Sequence, residues 1–292
     1  MCGRYASARS RIELLEEFDV VRDRVDESLP PDYNVAPTKP VYAVMTRQSR
    51  PESPENDDRA AAGGASRQSE NSGRAAVGGA SRQSENGDRA ATGSAVRELR
   101  VVRWGLVPAW AKDISIGSRM INARSETVSD KPAFRAAFAK RRCLLPADGY
   151  YEWQAPAPGT SGKKQPYFIC RPDHGPLAFA GLYELWRDRT LPKDHPDGWL
   201  WTATIITTTA PDELGEIHDR MPMVIDPASW ADWLDPVSTE PGDVRALLVP
   251  AAASGLTSYP VSLAVNSVRN NGPELIEAAD PVSAADADQT AR

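Results

Sequence analysis

The sequence predicts an α+β fold: a mainly antiparallel, barrel-like β core with a few flanking helices. Three observations predict it. Short β-branched and aromatic runs, broken by Pro and Gly, recur along the chain. Helical spacing of apolar residues is confined to a few short stretches. No strand–helix alternation occurs, and neither GxGxxG nor GxxxxGKS/T is present, which removes the doubly wound nucleotide-binding folds.

Taken in order, SRIELLEEF (10–18) carries apolar residues at helical spacing, and VYAVM (41–45) and LRVVRWGLV (99–107) read as strands. KPAFRAAFAK (131–140) reads as a helix, with Phe134 and Phe138 on one side. RCLLPA (142–147), YYEWQ (150–154), YFIC (167–170), LAFAGLYELW (177–186) and WLWTATIITT (199–208) suit strands. PASWADWL (227–234) begins a helix with Pro in the first turn after Asp226.

Between residues 48 and 97 the composition changes to Ala, Gly, Ser, Arg, Gln, Glu and Asn. RAAAGGASRQSEN starts at Arg59, RAAVGGASRQSEN at Arg74 and RAATGSA at Arg89, a 15-residue repeat. The copies contain no Leu, Ile or Phe to bury, so they cannot offset their ordering entropy. Residues 48–97 are therefore expected to be a disordered surface insertion, and 277–292 a disordered acidic tail. The remainder, 1–276, makes one domain of comfortable size.

The chain has 34 Lys+Arg against 40 Asp+Glu, a formal charge of -6, and 41% hydrophobic residues. That acidity argues against a protein coated in basic charge for duplex DNA, though not against a local basic groove. No run approaches the roughly 18 apolar residues of a membrane helix. The N-terminus has no signal core. Cys2, Cys143 and Cys170 are too few for a disulfide framework, and no CxxC or HExxH marks a zinc site. These features lead us to expect a soluble, cytoplasmic protein in a reducing compartment, with no metal.

Several residues can carry chemistry. Loss of Met1 would leave Cys2 at the N-terminus with an α-amine and a β-thiol on neighbouring carbons. Their ordinary pKa values, about 7.7 and about 8.5, leave both partly nucleophilic near neutrality. Such a 1,2-aminothiol closes a thiazolidine with an aldehyde. Arg4 puts a positive charge nearby. Glu152, between Tyr151 and Trp153, reads equally as a desolvated acid/base or as a solvated residue on the outer face of a strand. His218 of IHDRMP, read alone, is more often structural; Asp219 either fixes its tautomer or stays in solvent. INARSET supplies Asn122 to orient a substrate and Arg124 to bind a phosphate, or is simply a polar turn. Trp104 and Trp110 of WGLVPAW read as core or as a stacking platform for bases.

Taken together, MCGRYA, YNVAPT, RWGLVPAWAKD, MINARSET, RCLLPADGYYEW, QPYFI, FAGLYELW, TIITTTAP, IHDRMPMVI and VNSVRNNGPELI closely resemble the SRAP (SOS response-associated peptidase) family. They run from residue 1 to 276 and skip only the repeats. The resemblance implies covalent capture of abasic sites in single-stranded DNA, by a monomer without a metal or organic cofactor. It implies Cys2 as the crosslinking nucleophile after removal of Met1, by a peptidase activity of the protein itself. Asn122 would orient the opened sugar, Glu152 would serve as acid/base, and His218 would assist ring opening and the reverse reaction. Arg4, Arg124 and Arg220 would contact DNA, and Trp110 would wedge against a base. Some relatives carry a second aromatic after that Trp; here Ala111 follows. The alternatives are an N-terminal-nucleophile hydrolase or amidotransferase, and a non-covalent reader of modified bases.

Overall fold

The computed structural model describes residues 2–48, 95–158, 162–249 and 255–281. Residues 1–47 and 96–292 form one compact unit, and 48–95 separate as a second, of which only Gln48 and Ala95 are described. In the first unit the strands are β1 (Tyr5–Ser7), β2 (Arg22–Asp23), β3 (Asp32–Val35), β4 (Pro40–Gln48), β5 (Ala95–Trp104), β6 (Asn122–Arg124) and β7 (Arg142–Ala147). They continue with β8 (Gly149–Gln154), β9 (Gln165–Cys170), β10 (Leu177–Arg187), β11 (Trp199–Thr209), β12 (Arg220–Pro222) and β13 (Thr257–Pro260). The helices are α1 (Arg11–Glu17), α2 (Arg135–Lys140), α3 (Asp212–Gly215), α4 (Trp230–Leu234) and α5 (Pro241–Ala246).

Strands β11, β10, β7, β4 and β5 follow one another, and β5 pairs back onto β11 to close a ring. The closing joint is parallel, with Thr202 opposite Arg103; the joints β11–β10, β10–β7 and β7–β4 are antiparallel. Barrel strands are buried on both faces, which is why they read as near-continuous apolar runs. Val41, Ala43 and Met45 join Cys143, Leu145, Phe179 and Ile205 in the cluster inside the ring. Their neighbours Tyr42, Val44 and Leu144 face outward, under Leu14 of α1 and Phe18 just after it, Phe138 of α2 and Trp233 of α4. Gly181 of β10 has no room for a side chain: a Cβ there would meet Leu145 Cδ1 at 2.1 Å. Arg142 stays buried because its guanidinium serves the carbonyls that end two helices: Phe138 and Ala139 of α2, and Trp233 and Asp235 of α4.

The second sheet, ordered β13–β9–β8–β1–β3, sets the site. Tyr5 of β1 pairs with Tyr150 of β8, so the start of the chain runs antiparallel beside the DGYYEW strand. The N–H of Tyr151 donates to the Arg4 carbonyl at 3.0 Å, which carries that register back towards Cys2.

The α+β barrel is the fold the sequence predicts, with three differences in detail. First, β5 starts at Ala95, the last residue of the third repeat copy, so residues 95–97 are strand rather than insertion. Second, β5 ends at Trp104 rather than Val107, because Gly105 takes φ 126° and its position faces the Gly117 carbonyl, 2.6 Å from where a Cβ would lie. Third, residues 277–281 are not a loose tail. Ala278 bridges Val261, and the Ala279 N–H donates to Pro260 at 2.9 Å. The rest of the expected insertion and tail, 49–94 and 282–292, lies outside the described residues.

Candidate active site

Cys2 enters at the edge of β1 and is fully buried. Asn122 reaches it from the start of β6, which β11 holds in parallel register. The Asn122 Nδ2 donates to the Cys2 carbonyl oxygen at 2.7 Å, and its Oδ1 is buried without a partner among the described residues. Burial pushes the Cys2 thiol well above its ordinary range, and the charge of Glu152 adds to the rise. The backbone N–H of Arg4 donates to the sulfur and opposes it.

Glu152 is 3% exposed, which decides between its two readings: both faces of β8 are covered here, Tyr151 as fully as Glu152. Burial lifts the carboxyl to about 7; the positive amino terminus and Lys164 pull it down, and Asp219 pushes it up. An acid poised at that value can both take and give a proton near neutrality.

His218 follows α3 and is partly buried. Its Nδ1 lies 3.0 Å from the Arg220 N–H and 2.9 Å from an Asp219 carboxylate oxygen. The two contacts exclude each other: Nδ1 accepts only when unprotonated and donates only when protonated. Burial is the first cause lowering the His218 pKa. That favours the neutral ring, with Nδ1 accepting from Arg220 and the proton on Nε2. The charge of Glu152 acts on Cys2, and Asp219 and Lys164 act on both Glu152 and His218, so the structure brings Cys2, Asn122, Glu152 and His218 to one place.

The basic residues divide. Arg124 is exposed, two residues along β6 from Asn122, and so lies on the same face. Arg4 and Arg220 are committed inside the protein. Arg4 Nη1 donates to Asn34 Oδ1 at 2.6 Å and to the Val265 carbonyl at 2.9 Å, below the ring of Trp153. Arg220 forks onto Glu126 at 2.5 and 3.1 Å and donates to the Thr207 carbonyl at 2.7 Å. Its described contact with the site is the backbone N–H that orients His218.

Trp110 is 59% exposed. Its loop is pinned by Trp186, whose Nε1 donates to the Ala111 carbonyl at 2.8 Å. Ala111 packs with Val107 and Trp186, so its side chain points into the protein and a larger ring would not fit beside Trp110 without rebuilding that contact. Trp104 is core. Sequence reading passed over Lys164, whose charge reaches both Glu152 and His218 from the start of β9. It also passed over Tyr5 and Tyr150, which pack in the cluster that holds Cys2. The hydroxyl next to a core position was the available signal.

The model of the family described as SOS response associated peptidase (SRAP) matches residues 1–268. The chain belongs to the SRAP family. Among its relatives, the abasic site processing protein YoqW of Bacillus subtilis is 36% identical over 95% of this chain and 99% of its own length. YoaM of the same organism, likewise named an abasic site processing protein, is 34% identical over 95% of this chain and 98% of its own. The abasic site processing protein HMCES of Gallus gallus is 34% identical over 62% of this chain and 57% of its own. A crystal structure of a protein from Bacteroides thetaiotaomicron shares the fold with a TM-score of 0.65, at 22% identity, covering 95% of this SRAP chain and 100% of that one. Among the described residues no group of His, Cys, Asp and Glu is placed to hold a metal, and no helix is long and apolar enough to cross a membrane.

Proposed function

We propose that this SRAP protein processes abasic sites in single-stranded DNA by linking itself covalently to them through Cys2. The observation that carries the reading is the Asn122–Cys2 hydrogen bond beside a Glu152 poised near 7. An abasic site is in equilibrium with an open aldehyde. Once Met1 has been removed by the protein's own peptidase activity, the Cys2 amine attacks the aldehyde carbon and the carbonyl oxygen leaves as water, giving an imine. The thiol then adds across the C=N bond: sulfur bonds carbon, and its proton ends on nitrogen. The product is a five-membered thiazolidine. Closing the ring removes the imine, which would otherwise promote strand cleavage by β-elimination.

In this scheme Glu152 shuttles the protons of dehydration and thiol addition. His218, with a proton on Nε2, assists opening of the sugar ring. Asn122 offers its buried, unpartnered Oδ1 to the opened sugar. Arg124 and Lys164 are the exposed cations for the phosphates, and Trp110 stacks on a neighbouring base. Arg4 and Arg220 hold the site together rather than meeting DNA. Splaying a flanking nucleotide is easier in a single strand, which favours that substrate.

The test is incubation with single-stranded DNA carrying one abasic site, for the wild type and Cys2→Ala, with intact-mass analysis of the protein. A heat- and SDS-stable adduct from the wild type alone, on protein lacking Met1, supports the reading. A normal adduct yield from Cys2→Ala removes Cys2 as the linker. Ammonia release from glutamine without an adduct points instead to an amidotransferase.

A further inference from the structure

Two tyrosine hydroxyls lie unpartnered in the buried cluster that holds Cys2. Tyr5 on β1 and Tyr150 on β8 are direct partners across the antiparallel ladder. Both are fully buried. Both rings meet Phe179 edge-on, with centroids at 5.8 and 6.1 Å. They share one buried cluster with Cys2. Neither hydroxyl has a hydrogen-bond partner among the described residues. A buried donor left without an acceptor is destabilising, and phenylalanine would fill the same space without that penalty.

The thiol beside them needs donors. Cys2 is buried, and both its surroundings and Glu152 oppose a negative sulfur. The backbone N–H of Arg4 is one group that favours it. We propose that the hydroxyls of Tyr5 and Tyr150 donate hydrogen bonds to the Cys2 sulfur as it becomes a thiolate, and so act as positioning residues for the nucleophile. This rests on the proposed Cys2 chemistry and extends it. The S–H bond breaks, the proton passes to a Glu152 carboxylate oxygen, and the electron pair stays on sulfur. The two O–H bonds remain intact and only reorient. Burial holds both phenols well above their ordinary pKa, with Cys2 adding to the rise, so they remain donors throughout the neutral range. The described titratable groups acting on the sulfur are Glu152 and Tyr150 from β8 and Tyr5 from β1. Cys143 of β7 lies in the same cluster, and Asp32 of β3 acts on Tyr5.

The experiment compares the full-length wild type with Tyr5→Phe, Tyr150→Phe and the double variant. Alkylation of Cys2 by iodoacetamide is followed by mass spectrometry of the N-terminal peptide from about pH 6 to about pH 10. Cys143 and Cys170 serve as internal references. In the double variant, Cys2 alkylation near neutrality is expected to fall about tenfold and its profile to move to higher pH. The reference cysteines should stay as they are, and the thermal midpoint should hold or rise, since the unpartnered hydroxyls are gone. If the double variant does not fold, the single variants carry the comparison, each with a smaller shift in the same direction. An unchanged Cys2 profile overturns the proposal, as does a wild-type Cys2 that resists alkylation at every pH. A parallel adduct assay on abasic single-stranded DNA separates the two readings. Absence of a wild-type adduct sinks the crosslinking reading, while the alkylation profile still judges the hydroxyls.

Discussion

The side-chain amide of Asn122 holds the carbonyl oxygen of Cys2 at 2.7 Å across 120 residues of sequence. That bond fixes the backbone of Cys2 rather than its sulfur.

Asn122→Ala breaks this tie and leaves the Cys2 carbonyl without its donor. Stability should fall by about 1–2 kcal/mol. Adduct formation should fall by more than that loss of folded protein accounts for, because the amine is no longer aimed. Single-turnover crosslinking under conditions where circular dichroism shows the variant fully folded checks this; a wild-type rate would refute the positioning role.

Glu152→Gln keeps the shape and removes the proton shuttle. A general acid/base is typically worth about 10²–10⁴ in rate, so single-turnover adduct formation should slow by that order. An unchanged rate would end the assignment.

The same residue gives a pH signature. The folded carboxyl sits at about 7 against an ordinary 4.5, mainly through burial. A raised carboxyl pKa means the fold prefers the protonated form. Below about 4.5 the wild type bears no penalty from this group; it loses stability as pH rises from there through about 7, and the loss then levels off. The linked loss is of the order of a few kcal/mol. Glu152→Gln should lack this slope, so the difference in melting temperature between variant and wild type should grow from pH 5 to pH 8. Parallel curves would show that the carboxyl ionises normally.

Trp110→Ala should leave the melting temperature almost unchanged, since the ring is 59% exposed. It should weaken binding to single-stranded DNA by about 1–3 kcal/mol, the usual worth of one base stacked on an aromatic ring. Fluorescence anisotropy with the unmodified strand measures this without crosslinking. Equal affinity would remove Trp110 from the DNA path.

Deleting residues 52–93 retains all of β4 and β5, which end at Gln48 and begin at Ala95. The repeats offer nothing to a core, and loop length enters stability only logarithmically. Folding and crosslinking near physiological ionic strength should survive, with the melting temperature equal or slightly higher. A large drop would show that the repeats support the fold.

Much of the barrel was legible because its strands are long and apolar on both faces: β7, β10 and β11 begin where their sequence runs begin. The short strands β1, β3, β6, β12 and β13 were not. Runs of three or four residues show no period, and except for β12, which pairs with the preceding β11, their partners are remote in sequence. Cys2, Glu152 and His218 were legible as residue types in a family pattern, and the structure places them near one another. The fates of the arginines were not. Arg4 is held by Asn34, 30 residues away, and Arg220 by Glu126, 94 residues away. A guanidinium announces its charge locally, but the acceptor that holds it is chosen by the fold.

The distance along the chain between Cys2 and its partners also sets an order in time. Cys2 is made first. Asn122 follows 120 residues later and docks on β11, which is later still. At bacterial-like synthesis rates of about 5–20 residues per second, the gap is of the order of ten seconds or more. The ring itself closes only when β5 meets β11, a parallel pairing of remote segments that local folding cannot hasten. Throughout that interval Cys2 is a nascent-chain cysteine without Asn122 beside it, and the surroundings it has in the fold exist only once the later strands are made.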